Sequence, residues 1–546
     1  MALTHRLSTV PFRLPRTRGL ISVERDIPVP MPDGATLLAD RYTPVGARHA
    51  PTILVRTPYG RRGLPGVING VPFAYRGYQV LVQSARGTFG SGGEFDALAE
   101  REDGLATVAW LKRQPWFNGS FATYGASYLG YSAWSLAAEA GPELKAMATS
   151  VSASQFREAA YVGGAFALEA TLSWIDITAR SERPLGLLSA GLLSQRRALR
   201  AARSGRPLAE LDALTTGSAV PFFQNLLEHH EPGGSFWDNR DHSATVGDVT
   251  AAANMVGGWY DAFLPWQVRD YVAMRAAGRR PYLTIGPWWH ADARHVMASM
   301  RESLCWFQAH LRGDFSRLRA HPVRLFITGA GEWRSYRDWP VPGIRSRRWF
   351  LQPGRALAES APPASDPDTY RYDPADPTPT LSGPTLVGSA KPVDNRPIES
   401  RPDMLVFSSE VLRSDLEIIG PVGADLFVRS DRQHTDFVVR LCDVAPDGTS
   451  LNVCEGGLRL RPGGFPADGD GVRRVEIELW PAGHRFKRGH RLRVHVASGS
   501  HPKVASNPGT GEPIGTAATW VTAEQEVFHD PDRPSAIILP VVPSSL

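Results

Sequence analysis

The stretch Phe121-Ala122-Thr123-Tyr124-Gly125-Ala126-Ser127-Tyr128-Leu129-Gly130 decides how this chain is read. Its first four residues carry the apolar and β-branched side chains of a short buried strand, and residues 131–140 read as a helix. Between the two, Gly125, Ala126 and Gly130 leave room for a sharp strand-to-helix turn with Ser127 at its tip. A serine hydroxyl is a weak nucleophile until a base takes its proton, so it has to stand where an imidazole and a substrate can both reach it. The helix start beneath such a turn also aims backbone N–H groups at developing negative charge. The usual Gly-x-Ser-x-Gly spacing is not kept: Leu129 holds the place of the second glycine and Gly130 follows it.

A serine on such a turn draws its partners from later strands, in the chain order Ser, acid, His. Two downstream segments share the required layout. Met255-Val256-Gly257-Gly258-Trp259-Tyr260-Asp261 reads as a strand and a loop ending in a carboxylate, and Tyr282-Leu283-Thr284-Ile285-Gly286-Pro287-Trp288-Trp289-His290 as a strand and a loop ending in an imidazole. Asp261 and His290 are therefore the candidate acid and base. Asp270, Asp292 and His295 lie close by as competitors. Phe263, Trp259 and Trp288 beside these motifs, with Tyr161, Phe166 and Trp174 upstream, are the aromatic candidates for an apolar acyl pocket.

Upstream of the serine, residues 27–41 alternate about Pro32-Asp33-Gly34, a hairpin turn in which proline presets φ and glycine supplies the positive φ. Apolar runs at 52–55, 78–82 and 121–124 alternate with helix-like stretches such as 103–112, which predicts a largely parallel sheet covered on both faces. Strand signals fade between about 156 and 244, where 187–203 and 222–229 read as helices, and return at 254–256 and 282–285 before a helix at 298–311. From Val323 onward, proline, glycine and short β runs at 426–429, 437–441, 475–479 and 492–496 predict a sandwich or jelly roll, with 361–379 as an extended surface loop. The fold class expected is α/β: an α/β-hydrolase core in two parts (20–155 and 247–322), a helical cap insertion (156–246), and a C-terminal jelly-roll β domain (323–546).

Arg56-Thr57-Pro58-Tyr59, the glycine-rich loop from Arg86-Gly87-Thr88 to Glu94-Phe95, the Gly-x-Ser-Tyr-x-Gly turn, Gly258-Trp259-Tyr260-Asp261 and Gly286-Pro287-Trp288-x-His290 together resemble the bacterial cocaine esterase and X-prolyl dipeptidyl-peptidase group of serine hydrolases. The resemblance covers nearly the whole chain and continues at Tyr372-Asp373-Pro374-Ala375-Asp376-Pro377 and Thr435-Asp436-Phe437. It implies Ser127, Asp261 and His290 as the triad, in agreement with the reading from the residues. It also implies an oxyanion hole shared by the Tyr59 hydroxyl and the backbone N–H of Tyr128. The sequence departs from the group at Ser84, where its members usually carry an acid, and this puts an ion pair under that loop in doubt.

The expected activity is cleavage of carboxylic esters or activated amides through an acyl-enzyme, without a metal or organic cofactor. An X-prolyl dipeptidyl-peptidase or an acylase is the alternative within the fold, and a non-catalytic binding protein built on the jelly roll the alternative outside it. The expected partner is a small-molecule ester or amide, with a homodimer as the candidate assembly. Nucleic acid is disfavoured because 60 basic and 55 acidic residues are mixed along the chain, with no dense basic tract. The odd count of three cysteines, Cys305, Cys442 and Cys454, argues against a disulfide framework and for a cytoplasmic setting. Arg6, Arg13, Arg16 and Arg18, with Pro11 and Pro15, leave no room for a leader's apolar core, and no run of about 18 apolar residues suggests a membrane span. Glu228-His229-His230-Glu231 is read as a solvated helix end and Asp468-Gly469-Asp470-Gly471 as a turn, because neither has the ligand spacing of a metal site.

Overall fold

The computed structural model describes residues 19–543 apart from 48, 184, 185, 232, 233 and 389. The arginines and prolines weighed above at 6–18 lie outside those residues. Strands β1 (Ile21–Pro30) and β2 (Thr36–Pro44) form the expected hairpin, with Gly34 at φ +90° and the Asp33 carboxylate accepting from Ala35 N at 3.1 Å. Then come β3 (Thr52–Thr57), β4 (Gln79–Ser84), β5 (Phe121–Ala126) and β6 (Leu144–Ser150). Every residue of β3 and β4 is buried, which is how a parallel strand covered on both faces reads.

The chain leaves the sheet after β6. It passes through a short hairpin, β7 (Tyr161–Val162) and β8 (Ala165–Phe166), and four helices, Leu168–Arg180, Gly186–Ala202, Leu211–Thr216 and Pro221–Glu228. It returns as β9 (Ala252–Tyr260) and β10 (Tyr282–Trp289). The hairpin was not foreseen. Gly163 at its turn lies at φ +56°, and a Cβ there would stand 1.7 Å from the Gly457 carbonyl oxygen, so a glycine allows this tip to press against a strand of the β-rich region. Arg459 N donates to Gly163 O at 2.8 Å across the same contact.

The first sheet runs β1-β2-β4-β3-β5-β6-β9-β10-β11-β12, where β11 is Val323–Ile327 and β12 is Glu332–Tyr336. β11 pairs parallel to β10, and β12 hairpins back on β11 to finish the edge, so the first strands of the β-rich part extend the sheet of the core. Its own eleven-stranded sheet begins after these strands, with Arg345–Gln352, and is organised around the long strand Leu416–Ser430, which pairs with Arg473–Phe486, Ala523–Phe528 and Ala536–Val541. The surface loop expected at 361–379 contains a strand, Asp368–Tyr372, paired antiparallel to Ala523–Phe528. Alternation explains it: Tyr370 and Tyr372 turn inward and are buried, while proline and aspartate dominate only the flanks.

Beneath the cap hairpin, Arg459 holds Asp436 by two hydrogen bonds of 2.9 and 2.7 Å, both side chains being about 5% exposed. Removing one partner of a buried pair strands the other charge in the interior, at about 3–5 kcal/mol. Asp436→Ala is therefore expected to lower the unfolding free energy by an amount in that range, read from denaturant unfolding followed by tryptophan fluorescence.

Candidate active site

Ser127 sits at φ +56°, ψ −127°, a backbone conformation that residues other than glycine rarely adopt. Its N–H donates to Ser150 O at the end of β6 and its carbonyl accepts from Tyr131 N, so the tip is tied both to the sheet and to the helix Tyr128–Ala137 that follows. A Cβ on Gly125 would lie 2.3 Å from the Leu129 carbonyl carbon, and one on Gly130 would lie 2.7 Å from Ser152 Cβ. The irregular spacing now has a reason. In this turn it is residue 130, not 129, that passes close to the neighbouring strand end, while Leu129 packs into the apolar cluster beneath the sheet.

Asp261, fully buried after β9, accepts from His290 Nδ1 at 2.7 Å and from Phe263 N at 2.9 Å. Its carbonyl accepts from Trp480 Nε1 of the β-rich region at 3.0 Å. The competitors are committed elsewhere. Asp270 accepts from Ser154 N and Oγ at 2.8 and 2.6 Å, and its burial pushes its carboxyl up to about 7. Asp292 caps the helix Ala293–Arg312 and pairs with Arg294. His295 is buried with its ring 5.9 Å from that of Trp288, and burial pulls the imidazole down to about 4. Among the described residues no hydrogen bond joins Ser127 Oγ to His290. Phe263 connects the two regions instead: its ring meets that of His290 edge-on at 5.4 Å and stacks on Phe156 at 4.2 Å, and Phe263 and Phe156 both border the cavity that Ser127 opens into.

That cavity, of about 90 Å³, is enclosed by Tyr128 and Leu98 of the core, Phe156, Trp174, Phe222 and Trp237 of the cap, and Leu386 of the β-rich region. Of the aromatic residues expected to line it, Phe263 and Trp174 do so. Trp259, Trp288, Tyr161 and Phe166 do not, and this corrects the expectation. Trp259 donates to Phe326 O at 2.6 Å and packs on Trp339; Trp288 packs on Trp333; Tyr161 donates to Leu226 O and, with Phe166, fills the interior of the cap. Trp259 and Trp288 lie close in sequence to a motif yet pack away from the cavity, and Tyr161 and Phe166 are spent inside the cap. Phe156, Phe222, Trp237 and Leu386 carried no local signal, because only the folding of cap and β region over the elbow brings them there.

Tyr59 stands next to this cavity through Trp174, whose Nε1 donates to the Tyr59 hydroxyl at 2.8 Å. Burial pushes that phenol up to about 12, so it keeps its proton, with the Trp174 N–H pulling the other way. The Tyr128 side chain is anchored too. Its hydroxyl donates to Glu100 at 2.9 Å and accepts from Leu98 N at 2.9 Å, and Glu100 pairs with Arg56 at 2.8 Å in the interior. The doubt raised at Ser84 is resolved in place. Arg61 donates to Ser84 Oγ at 3.0 Å and obtains its counter-charge from Asp40, also at 3.0 Å, and from Asp26. Elsewhere, His229 stacks on Phe236 and Glu231 pairs with Arg461, while Asp468 accepts from Asp470 N and Val472 N in a turn closed by Arg533. No helix among the described residues is long and apolar enough to cross a membrane.

A strained serine on a strand-to-helix turn, followed along the chain by an acid and a histidine that join at the ends of neighbouring parallel strands, defines a serine hydrolase of the α/β-hydrolase class. Residues 33–292 match the family described as X-Pro dipeptidyl-peptidase (S15 family), and residues 318–538 match the X-Pro dipeptidyl-peptidase C-terminal non-catalytic domain. The chain is 33% identical to the cocaine esterase of Rhodococcus sp. (strain MB1 Bresler), over 96% of this chain and 99% of that one. An α-amino acid ester hydrolase has the same fold with a TM-score of 0.81 at 23% identity, covering 97% of this chain and 98% of its own. A CocE/NonD family hydrolase from Staphylococcus aureus superimposes with a TM-score of 0.71 at 18% identity, covering 96% and 94%. The chain belongs to this cocaine esterase and X-Pro dipeptidyl-peptidase family, and it is a serine ester hydrolase.

The buried His295 gives stability a pH dependence. Unfolded, the ring titrates near 6.5; folded, near 4. As pH falls below about 6.5, unfolding takes up a proton that the native state refuses, so this contribution to stability declines until pH passes about 4 and is constant below. The loss of stability between pH 6.5 and 4 is expected to be shallower in His295→Gln than in the wild type, measured as denaturation midpoint against pH.

Proposed function

We propose that Ser127, His290 and Asp261 are the catalytic triad of an esterase for compact, neutral acyl groups, with the Tyr59 hydroxyl and the Tyr128 N–H as its oxyanion hole. The observation that carries this reading is the 2.7 Å bond from His290 Nδ1 to a fully buried Asp261, beside an uncharged cavity bordered by Ser127. Bonding at Nδ1 fixes the tautomer that leaves Nε2 free to accept a proton. His290 takes the Ser127 proton as the hydroxyl attacks the ester carbonyl; the ring closes onto the serine as substrate binds, since such bonds are often long in the free enzyme. The tetrahedral oxyanion is met by the two tyrosine donors, while Asp261 stabilises the imidazolium. The alcohol leaves with the proton from His290, and a water activated by the same ring releases the acid.

The family names include both ester and X-prolyl substrates. A neutral acyl group is favoured because no charged side chain is among the described residues that line the cavity, and an α-ammonium would enter it without a counter-ion. The chain continues after Asp261 with Ala262 and Phe263, both lining residues. Cys305, Cys442 and Cys454 are free, which supports a reducing cytoplasm as the compartment.

Ser127→Ala is expected to abolish turnover of phenyl acetate and labelling by a fluorophosphonate; wild-type turnover in that protein defeats the assignment. Asp261→Asn is expected to lower kcat by about 10⁴-fold by reversing the tautomer, and Tyr59→Phe by about 10²–10³-fold. Phenyl benzoate and phenyl acetate should have a higher kcat/KM than aminoacyl esters, and the opposite ranking would favour the peptidase-like reading.

A further inference from the structure

The Tyr59 hydroxyl is in an unusual position. A phenol has one donor and places its O–H close to the ring plane, in one of two orientations. An indole N–H can only donate. The 2.8 Å contact therefore makes the Tyr59 oxygen the acceptor and closes the orientation that faces Trp174. Among the described residues the Tyr59 hydroxyl donates to nothing, although buried donors are nearly always satisfied. Trp174 belongs to the cap helix Leu168–Arg180, and its ring lies parallel to that of Tyr128, 9° apart with centroids separated by 5.9 Å. Tyr59 meets the same Tyr128 edge-on at 6.5 Å.

We propose that Trp174 is a positioning residue of the oxyanion hole: its indole N–H directs the Tyr59 proton toward the substrate oxygen, and its ring braces Tyr128, so the hole is complete only with the cap helix docked. The inference rests on the reading of Tyr59 as an oxyanion donor. It gives Trp174 a role beyond that of pocket wall, because the effect passes through Tyr59 and is independent of the acyl group. It also explains why the Tyr59 hydroxyl donates to no described residue: its acceptor is formed during the reaction.

The test is a double-mutant cycle. Kinetics with phenyl acetate and phenyl benzoate are compared for wild type, Trp174→Phe, Tyr59→Phe and the double variant, normalised to active sites titrated with a fluorophosphonate. Trp174→Phe keeps an aromatic ring against Tyr128 and deletes the N–H. It is expected to lower kcat about tenfold for both esters, the worth of one hydrogen bond, with little change in KM. In the Tyr59→Phe background the same change should cost less than about twofold, because the group it orients is gone. An equal loss in both backgrounds, or a loss confined to KM or to the benzoate, overturns the inference and leaves the Tyr59 reading standing. If Tyr59→Phe alone retains wild-type kcat, the oxyanion reading fails and takes the inference with it. Trp174→Leu is read in the same way, so the outcome does not hang on one variant.

Discussion

Ser127 is held in a backbone conformation that would cost about 1–3 kcal/mol on its own. What holds it is the convergence of parallel strands. The Ser127 N–H is anchored on the end of β6, the helix behind it is buried at all ten of its residues, and the approach of Gly125 and Gly130 to their neighbours is too close for a Cβ at either position. Because β5, β6, β9 and β10 lie side by side in the sheet, their carboxyl ends open into one crevice, and the loops that leave them carry Ser127, Asp261 and His290. The order of strands in space brings Asp261 and His290, 134 and 163 positions beyond the serine, to the same end of the sheet as Ser127.

A second constraint acts through burial. Asp261 has no contact with water, and a carboxylate in that state needs donors on every side. It has them from the backbone of Phe263 and the ring of His290, and its own carbonyl is held by Trp480. The β-rich region is thus part of the frame of the site. Leu386 closes the cavity, and Thr385 forms a bridge with Asp261 itself. The cap adds Trp174 and its hydrogen bond to Tyr59. Core, cap and β region each supply part of the cavity wall, and cap and β region also meet at the close approach of Gly163 to Gly457.

The elbow, the opening hairpin and the acid and base loops were legible because each is announced locally: by small residues where a turn is tight, by a Pro-Asp-Gly tripeptide, and by an apolar run ending in a functional side chain. The choice among Asp261, Asp270 and Asp292 was not a local matter. Asp270 serves Ser154, over a hundred residues upstream, and Asp292 serves a helix start. The aromatic residues misled for the same reason. Trp259 and Trp288 belong to β9 and β10 and pack on Trp339 and Trp333, away from the cavity, and Tyr161 and Phe166 turn into the cap.

The sequence by itself determined the class of chemistry and the three-part α/β, helical and β organisation, because turn sterics and hydrophobic period are properties of short segments. Tertiary structure alone decided which strands completed the first sheet, which acid met the histidine, which aromatic rings bordered the cavity, and that a cap tryptophan would hold the Tyr59 hydroxyl. Those depend on long-range packing, where two side chains distant in the chain become partners only once the sheet order and the docking of cap and β region have brought their surfaces together.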